Sequence, residues 1–314
     1  MSRVAPIGPG IVAEVVTIPR PAGGLLYGVI SRPAVMPAGP RVVIIAGRTS
    51  PGDVLRWFAE SLARRGYVVL RFDPTGVADS PGGDRTTDVA IDDHYRSVQA
   101  GAFTDDTKDA VTWMERTYRP AEICLLSVCG LCSAALMAAA AMPRTISRLI
   151  LLTPPVLYLG TSWTRMYVSQ ILASLRKFLT GRGDYAAIRR DVGLTLRTAA
   201  GVCRRAVMKR DRSPRPAHAA FNWHFWEGFC AVIARGVPIL FLLAELDNET
   251  AAFNAEFRIP ILERHDGYAR LCTVRSLPDT DHSFMLEEGR LRALDAILRW
   301  LESVEDTTHL SAVS

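Results

Sequence analysis

The chain has 314 residues, 49% of them apolar, and a net charge of +5. This length and apolar content suit one α/β enzyme domain with an insertion, and the mild basic excess is too weak to indicate nucleic-acid binding. The longest apolar runs, 134–142 and 237–244, are far shorter than the roughly 20 residues of a membrane span. The six Cys residues lack framework spacing and the N-terminus lacks an apolar signal segment, so we expect a cytoplasmic protein.

The predicted elements alternate between strands and helices. Strand-like runs at 12–18 and 26–30 flank a Gly-rich turn, which predicts an antiparallel hairpin. The following elements are a buried strand at 41–46, a helix at 53–65, a strand at 66–72, a long loop at 74–102, a helix at 105–118, a buried strand at 122–128 with a helix after it, and a strand at 149–152.

The alternation stops after residue 156 and resumes with a strand at 238–244, a strand at 269–274 and a final helix at 287–302. Repeated β–α alternation favours an α/β fold with a mostly parallel eight-stranded sheet flanked by helices. We therefore predict a core of residues 1–156 and 236–305, a helical cap insertion at 157–235 and a flexible tail at 306–314. Catalytic groups are expected at the carboxyl ends of the strands, under the cap.

The segment after the strand at 122–128 is typical of a nucleophile elbow. Gly130-x-Cys132-x-Ala134 matches the pattern G-x-S-x-G, with a thiol in place of the serine hydroxyl. A helix N-terminus behind Cys132 favours the thiolate. We predict Cys132 as the nucleophile, with a structural buried cysteine as the alternative.

An acid and a histidine follow in the order nucleophile, acid, histidine, which is that of α/β-hydrolases. Asp247 comes just after a buried strand, although it could instead cap the next helix, and Glu245 competes from the same turn. His282 lies between the last strand and the last helix. In this interpretation His282 takes the thiol proton, Asp247 orients the imidazole, and an acyl-thioester intermediate forms on Cys132.

Backbone donors are needed for the oxyanion of such a reaction. We predict the N–H groups of Ser133, which follows Cys132, and of Arg48, in the turn after the third strand. Gly47 lets that turn approach the substrate, unless it is an ordinary turn glycine. Trp223 and Trp226 could line an acyl pocket or pack in the core of the cap.

Together these residues resemble the α/β-hydrolase superfamily over nearly the whole chain. The turn at 72–80 is similar to the family's turn after strand four, except that Ala78 replaces its second glycine. Ala46-Gly47 stands where many members carry His-Gly. The Gly-Leu-Cys elbow and the stretch 167–181 look most like the hydrolases associated with exosortase systems, in the serine-aminopeptidase-like branch. The resemblance implies an esterase, thioesterase, lactonase, peptidase or acyltransferase.

We therefore expect an acyl hydrolase or acyltransferase acting on a small-molecule thioester, ester or lactone. No cofactor or metal is required, since no second Cys pair or spaced His pair completes a zinc site. A basic run at 189–212 could dock an acyl carrier protein or coenzyme A, or could form a solvated helix face.

Two other classes of function stay open. The altered elbow would also fit a catalytically silent receptor or scaffold with a hydrolase fold. Cys129-Gly-Leu-Cys132 is a C-x-x-C motif, which occurs in redox proteins, although a thioredoxin-like domain is much shorter than this chain.

Overall fold

The computed structural model describes residues 4–46, 54–82, 91–158 and 221–311. The strands are β1 (Val4–Gly8), β2 (Ile11–Pro19), β3 (Leu25–Pro33), β4 (Arg41–Ala46), β5 (Val68–Phe72), β6 (Glu122–Val128), β7 (Ile146–Leu152), β8 (Ile239–Ala244) and β9 (Cys272–Leu277). The helices are α1 (Val54–Ala63), α2 (Ile91–Gln99), α3 (Thr104–Tyr118), α4 (Leu131–Ala141), α5 (Trp223–Ile233), α6 (Asn248–Phe253), a π-helix (Asn254–Leu262), α7 (Asp266–Ala269) and α8 (Glu287–Ser311).

The described strands form one sheet in the order β1-β2-β3-β5-β4-β6-β7-β8-β9. β1, β2, β3 and β5 pair antiparallel in succession, and the pairs from β5 to β9 are parallel. This confirms the predicted hairpin, in which Val16 lies opposite Gly28. The sheet has one strand more than the eight predicted, because the short edge strand β1 was not recognised in its Pro- and Gly-containing sequence.

The central strands are apolar along their length because helices cover the sheet. In β4 and β8 nearly every residue is buried. On one side, Phe58 of α1 and Ile297 of α8 pack with Val43 and Leu242 in a single apolar cluster. The cluster fixes the strand ends from which the site is built.

Helix α2 corrects the predicted loop at 74–102. Residues 91–99 are helical, and Val98 and Gln99 at the end of this helix are buried. The helix packs on α4, the helix that follows β6. A Gly-, Asp- and Thr-rich composition had indicated irregular structure for the whole segment.

The chain divides into two compact units, residues Met1–Val156 with Asn222–Ser314, and residues Leu157–Phe221. The predicted cap extended to residue 235, whereas the smaller unit ends at Phe221. Helix α5 belongs to the larger unit because it packs on α4, and an added Cβ at Gly228 would lie 2.9 Å from Leu136 Cβ.

The last helix is longer than predicted. The backbone of α8 stays helical past residue 302 and through most of the predicted tail, ending at Ser311. Within the part of the chain that the structure describes, no helix combines the length and apolar character needed to cross a membrane.

Candidate active site

The turn that follows β6 has the backbone geometry of a nucleophile elbow. Cys129 is the first residue after the strand and has φ +54°, in the left-handed region that a residue with a Cβ seldom adopts. Its N–H donates to the carbonyl oxygen of Leu152 at the end of β7, at 2.9 Å. Helix α4 begins at Leu131, so only Cys129 and Gly130 form the turn.

The side chain of Cys129 meets the predicted histidine. His282 lies close enough to Cys129 for the two side chains to interact electrostatically. Its Nδ1 is hydrogen-bonded to Asp247 Oδ2 at 2.7 Å. Because Asp247 engages Nδ1, the other ring nitrogen is the one left for the thiol. The thiol of Cys129 is partly exposed, as a group that meets a substrate must be.

Asp247 has both of the roles that the sequence allowed. It is the N-cap of α6, and its Oδ1 accepts from the N–H of Glu249 at 3.1 Å. Its Oδ2 accepts from His282, and the Asp247 side chain is 8% exposed. Glu245, the competing acid, is exposed. Each oxygen of Asp247 therefore has its own partner, and the carboxylate is held in one orientation.

The loop that carries His282 is fixed on both sides. The N–H of Leu246 donates to Thr280 O at 3.0 Å, which joins the loop after β8 to the loop after β9. Asp281 Oδ1 accepts from the N–H of Met285 at 2.9 Å. Phe284 is buried and its ring lies 6.3 Å from that of Phe58 in α1. These contacts hold the imidazole in place between Asp247 and Cys129.

The electrostatics favour a charged imidazole. Burial lowers the pKa of His282, but the hydrogen bonds and negative charges of Asp247 and Cys129 outweigh burial and raise the pKa to about 11. A protonated His282 that is hydrogen-bonded to the Asp247 carboxylate and lies close to Cys129 is the arrangement of a histidine with its orienting acid.

The surroundings of Cys132 do not suit the nucleophile that the sequence predicts. Cys132 lies inside α4, one residue after the helix begins, and is 0% exposed. Its Sγ faces the carbonyl oxygens of Ser127 at 3.5 Å and Leu152 at 3.7 Å. Burial raises the pKa of the Cys132 thiol well above its ordinary value. The Cys132 thiol therefore lies between the two strand ends, away from solvent, whereas Cys129 is partly exposed in the turn.

The predicted oxyanion donor Ser133 follows Cys132, so the donor has to be considered again for Cys129. The N–H of Ser133 is directed at Gly130 O, at 3.4 Å, and Ser133 Oγ accepts from Asn222 Nδ2 at 3.1 Å. The residue after Cys129 is Gly130, and among the described residues no backbone acceptor binds its N–H. An oxyanion role for the Gly130 N–H belongs to the proposed function. Gly47 and Arg48, predicted to supply the other side of this site, lie outside the described residues.

The two predicted pocket tryptophans have different surroundings. Trp226 stacks on Phe229 with ring centroids 5.8 Å apart and meets Phe257 edge-on at 6.4 Å. It belongs to the aromatic cluster between α5 and the π-helix, so it packs in the larger unit and not in the core of a cap. Trp223 opens α5 and is 47% exposed. An acyl-pocket role for Trp223 stays a prediction.

Among the described His, Cys, Asp and Glu side chains, no group of three is arranged to hold a metal ion. The contacts of Cys129, His282 and Asp247 can instead support nucleophilic chemistry. They come from the carboxyl ends of β6, β9 and β8, where ligands bind in sheets of this kind.

No family model and no curated protein matches the chain, but many solved structures do. Dienelactone hydrolase from Anabaena variabilis ATCC 29413 is 12% identical, with 96% of this chain and 98% of that chain covered and a TM-score of 0.55. Est1E from Butyrivibrio proteoclasticus, solved with bound ferulic acid, is 14% identical, with 92% and 98% covered and a TM-score of 0.54. The chain has the α/β-hydrolase fold. A third similar structure is XC6422 from Xanthomonas campestris, described as an α/β serine hydrolase without a lid, at 17% identity, 95% and 97% coverage and a TM-score of 0.51.

In this α/β-hydrolase fold, β2–β9 correspond to the eight strands that the sequence predicted, and a sharp turn follows β6 as expected. These similarities, all below 20% identity, establish the architecture. The chemistry has to be argued from the residues of the site.

Proposed function

We propose that the protein is an acyl hydrolase or acyltransferase that works through Cys129, His282 and Asp247. The observation that carries this proposal is that Cys129 stands in the strained turn after β6, close to a His282 whose Nδ1 is hydrogen-bonded to Asp247 at 2.7 Å. A nucleophile bonded to a base, with the base bonded to an orienting acid, is the geometry that activates a thiol for attack on an acyl carbon.

The reaction has two steps. The Cys129 thiolate attacks the acyl carbon, and the carbonyl oxygen takes up negative charge beside the N–H of Gly130. When the tetrahedral species collapses, the bond to the leaving group breaks, and the His282 imidazolium gives that group its proton. The product of this step is an acyl thioester on Cys129.

In the second step His282, now neutral, removes a proton from water or from another acceptor. The acceptor attacks the thioester carbon, and collapse expels the Cys129 thiolate, which restores the ion pair with His282. Asp247 keeps the proton of the imidazole on Nδ1, so that the other nitrogen faces the reaction in both steps.

The substrate class that fits this chemistry is a small-molecule thioester, ester or lactone. Presentation on an acyl carrier protein or coenzyme A rests on the basic run at 189–212, which lies outside the described residues. The closer resemblance to exosortase-associated hydrolases rests partly on residues 167–181, which also lie outside them, and it stays a prediction.

The experiment that tests the proposal uses intact mass spectrometry with matched cysteine variants. The protein is incubated with a panel of acyl thioesters and esters, and the acyl adduct is located by peptide mapping. We expect adducts in the wild type and in Cys132→Ser, whose hydroxyl can bond to the same two carbonyl oxygens. Cys129→Ala should form none.

The opposite pattern, with an adduct that survives Cys129→Ala and disappears in Cys132→Ser, would refute the assignment. A catalytically silent receptor or scaffold would match neither of these two adduct patterns. Its Cys129 would be labelled by an electrophilic probe no faster than a free thiol in solution, and no acyl adduct would accumulate with any substrate of the panel.

A further inference from the structure

The side-chain amide of Asn222 is fully buried and engaged at both of its ends. Its Nδ2 donates to Gln99 O and to Ser133 Oγ, each at 3.1 Å. Its Oδ1 accepts from the N–H of Phe225 at 3.1 Å and thereby caps helix α5. The Phe225 N–H can only donate, so the amide oxygen faces it and the NH₂ group faces the other two residues. Three partners therefore hold the amide in one orientation.

Both acceptors of this amide belong to helices that contact the elbow residue Gly130. A Cβ added at Gly130 would lie 3.1 Å from Val98 Cγ1 and 3.6 Å from Gln99 Cγ, so the end of α2 packs closely on the Gly130 backbone. Ser133 lies in the first turn of α4, and its N–H is directed at Gly130 O at 3.4 Å. One amide thus joins the two elements that surround Gly130.

The backbone alone holds these two elements weakly at this point. Gln99 is the last residue of α2, and the last carbonyl oxygens of a helix have no partner within it. The N–H of Ser133 lies farther from Gly130 O than in an ordinary hydrogen bond. The Asn222 amide supplies a donor to each element, so its removal would let both of them shift relative to Gly130.

We propose that Asn222 is a positioning residue, whose amide fixes the direction of the Gly130 N–H by holding α2 and Ser133 at the elbow. This inference rests on the proposed function, in which that N–H binds the oxyanion formed during attack by Cys129. An oxyanion donor is effective because it is preorganised, so a small displacement of the Gly130 peptide raises the barrier to acylation while the thiol itself stays reactive.

The test compares two reactions of the Cys129 thiol in Asn222→Ser. A serine also caps a helix, so α5 keeps its N-cap, but the short side chain has no NH₂ group for Gln99 O and Ser133 Oγ. Acylation by p-nitrophenyl acetate passes through an oxyanion, whereas alkylation by iodoacetamide displaces iodide and forms none. We expect the acylation rate constant to fall on the order of tenfold, with the alkylation rate unchanged.

Two further variants separate positioning from stability. Ser133→Ala removes only the acceptor on α4, so it should slow acylation selectively but less than Asn222→Ser does. The double variant should be no slower than Asn222→Ser alone, because the hydrogen bond between the two side chains is already lost. Arg148→Met is the control, since Arg148 contacts Leu301 O at 2.6 Å and Glu122 at 3.1 Å near the amino ends of β6 and β7. It should lower the Tm and leave both rate constants unchanged.

Each result decides the question. Equal losses in acylation and alkylation by Asn222→Ser would overturn the inference, because the substitution would then act on the thiol, and so would an equally selective loss in Arg148→Met. Should Asn222→Ser not fold, Ser133→Ala decides by the same comparison. If the wild type itself forms no acyl adduct, the proposed function fails and the inference fails with it, whereas normal wild-type acylation with an unaffected Asn222→Ser refutes the inference alone.

Discussion

Replacing Asp247 by Asn should disable the site without unfolding the protein. Asp247 Oδ1 accepts from the N–H of Glu249 at 3.1 Å, and Oδ2 faces Nδ1 of His282 at 2.7 Å. An asparagine caps a helix as well as an aspartate does, provided that its oxygen takes the Glu249 N–H. Its NH₂ group is then directed at His282.

This orientation would give His282 the wrong tautomer. The NH₂ group of the introduced asparagine donates to Nδ1, which must become an acceptor, so the ring proton moves to the nitrogen that faces Cys129. A ring protonated there cannot take the proton of the thiol. We expect acylation to slow on the order of 10³- to 10⁴-fold, equivalent to about 4–5 kcal/mol of transition-state stabilisation.

The assay is the second-order rate constant for acylation by a chromogenic ester, measured beside the thermal unfolding midpoint. Glu245→Gln is the matched control, because Glu245 is an exposed acid from the same turn and its replacement should leave the rate unchanged. If Asp247→Asn retains a rate within about tenfold of the wild type, or if Glu245→Gln is the slower variant, the tautomer argument is wrong.

Three other predictions concern stability. The pKa of His282 is raised from 6.5 to about 11. The contacts of the charged imidazole therefore stabilise the fold fully below pH 6.5, and this contribution is lost as the pH rises toward 11. The difference in calorimetric Tm between wild type and His282→Gln should shrink over that range. Gly228→Ala would place a Cβ 2.9 Å from Leu136 Cβ and should cost roughly 1–3 kcal/mol of unfolding free energy in urea titrations. Asn222→Ala removes a buried amide that donates to Gln99 O and to Ser133 Oγ, and the same titrations should register a loss of about 1–3 kcal/mol.

Gly228→Ala has a matched control, and each of the other two predictions has a result that would contradict it. Gly267→Ala should be neutral, because nothing lies within 4 Å of a Cβ added there. A Tm difference for His282→Gln that is constant with pH would contradict the charge argument. An Asn222→Ala variant as stable as the wild type would mean that its partners find other donors at no cost.

The sequence predicted the layers of the fold well because buried parallel strands leave a strong pattern. Apolar runs such as 41–46 and 238–244 correspond to β4 and β8 almost residue for residue. The sequence also singled out Asp247 and His282, since both follow such strands, and the structure brings their side chains together. The hydrogen bond between Asp247 Oδ2 and His282 Nδ1 agrees with the expectation that the acid orients the imidazole.

The nucleophile that the sequence predicts, Cys132, lies three residues from the one that we propose, Cys129, for a specific reason. The pattern G-x-S-x-G fits Cys132 by spacing alone, but the turn is defined by where the strand ends and the helix begins. β6 ends at Val128 and α4 begins at Leu131, which leaves Cys129 and Gly130 for the turn. The apolar run that ends at Val128 was the signal that could have corrected the assignment.

Helix α2 was missed because its neighbours in sequence are rich in turn-forming residues. Ile91, Tyr95 and Val98 do follow a helical spacing, although the window is short. Other contacts leave no local pattern at all. The amide of Asn222 bonds to Gln99 O and to Ser133 Oγ, and only the folded chain brings these groups together.

One hydrogen bond described by the structure has an implication for how such a chain diversifies. The main chain of the larger unit departs at Val156 and returns at Asn222, where the amide N–H of Asn222 donates to the oxygen of Val156 at 2.8 Å. The point of departure and the point of return are thus neighbours, already joined to each other. A segment spliced between them could be lengthened, shortened or exchanged for another with no strand or helix of the larger unit interrupted. Selection can therefore remodel that segment while the larger unit is inherited intact.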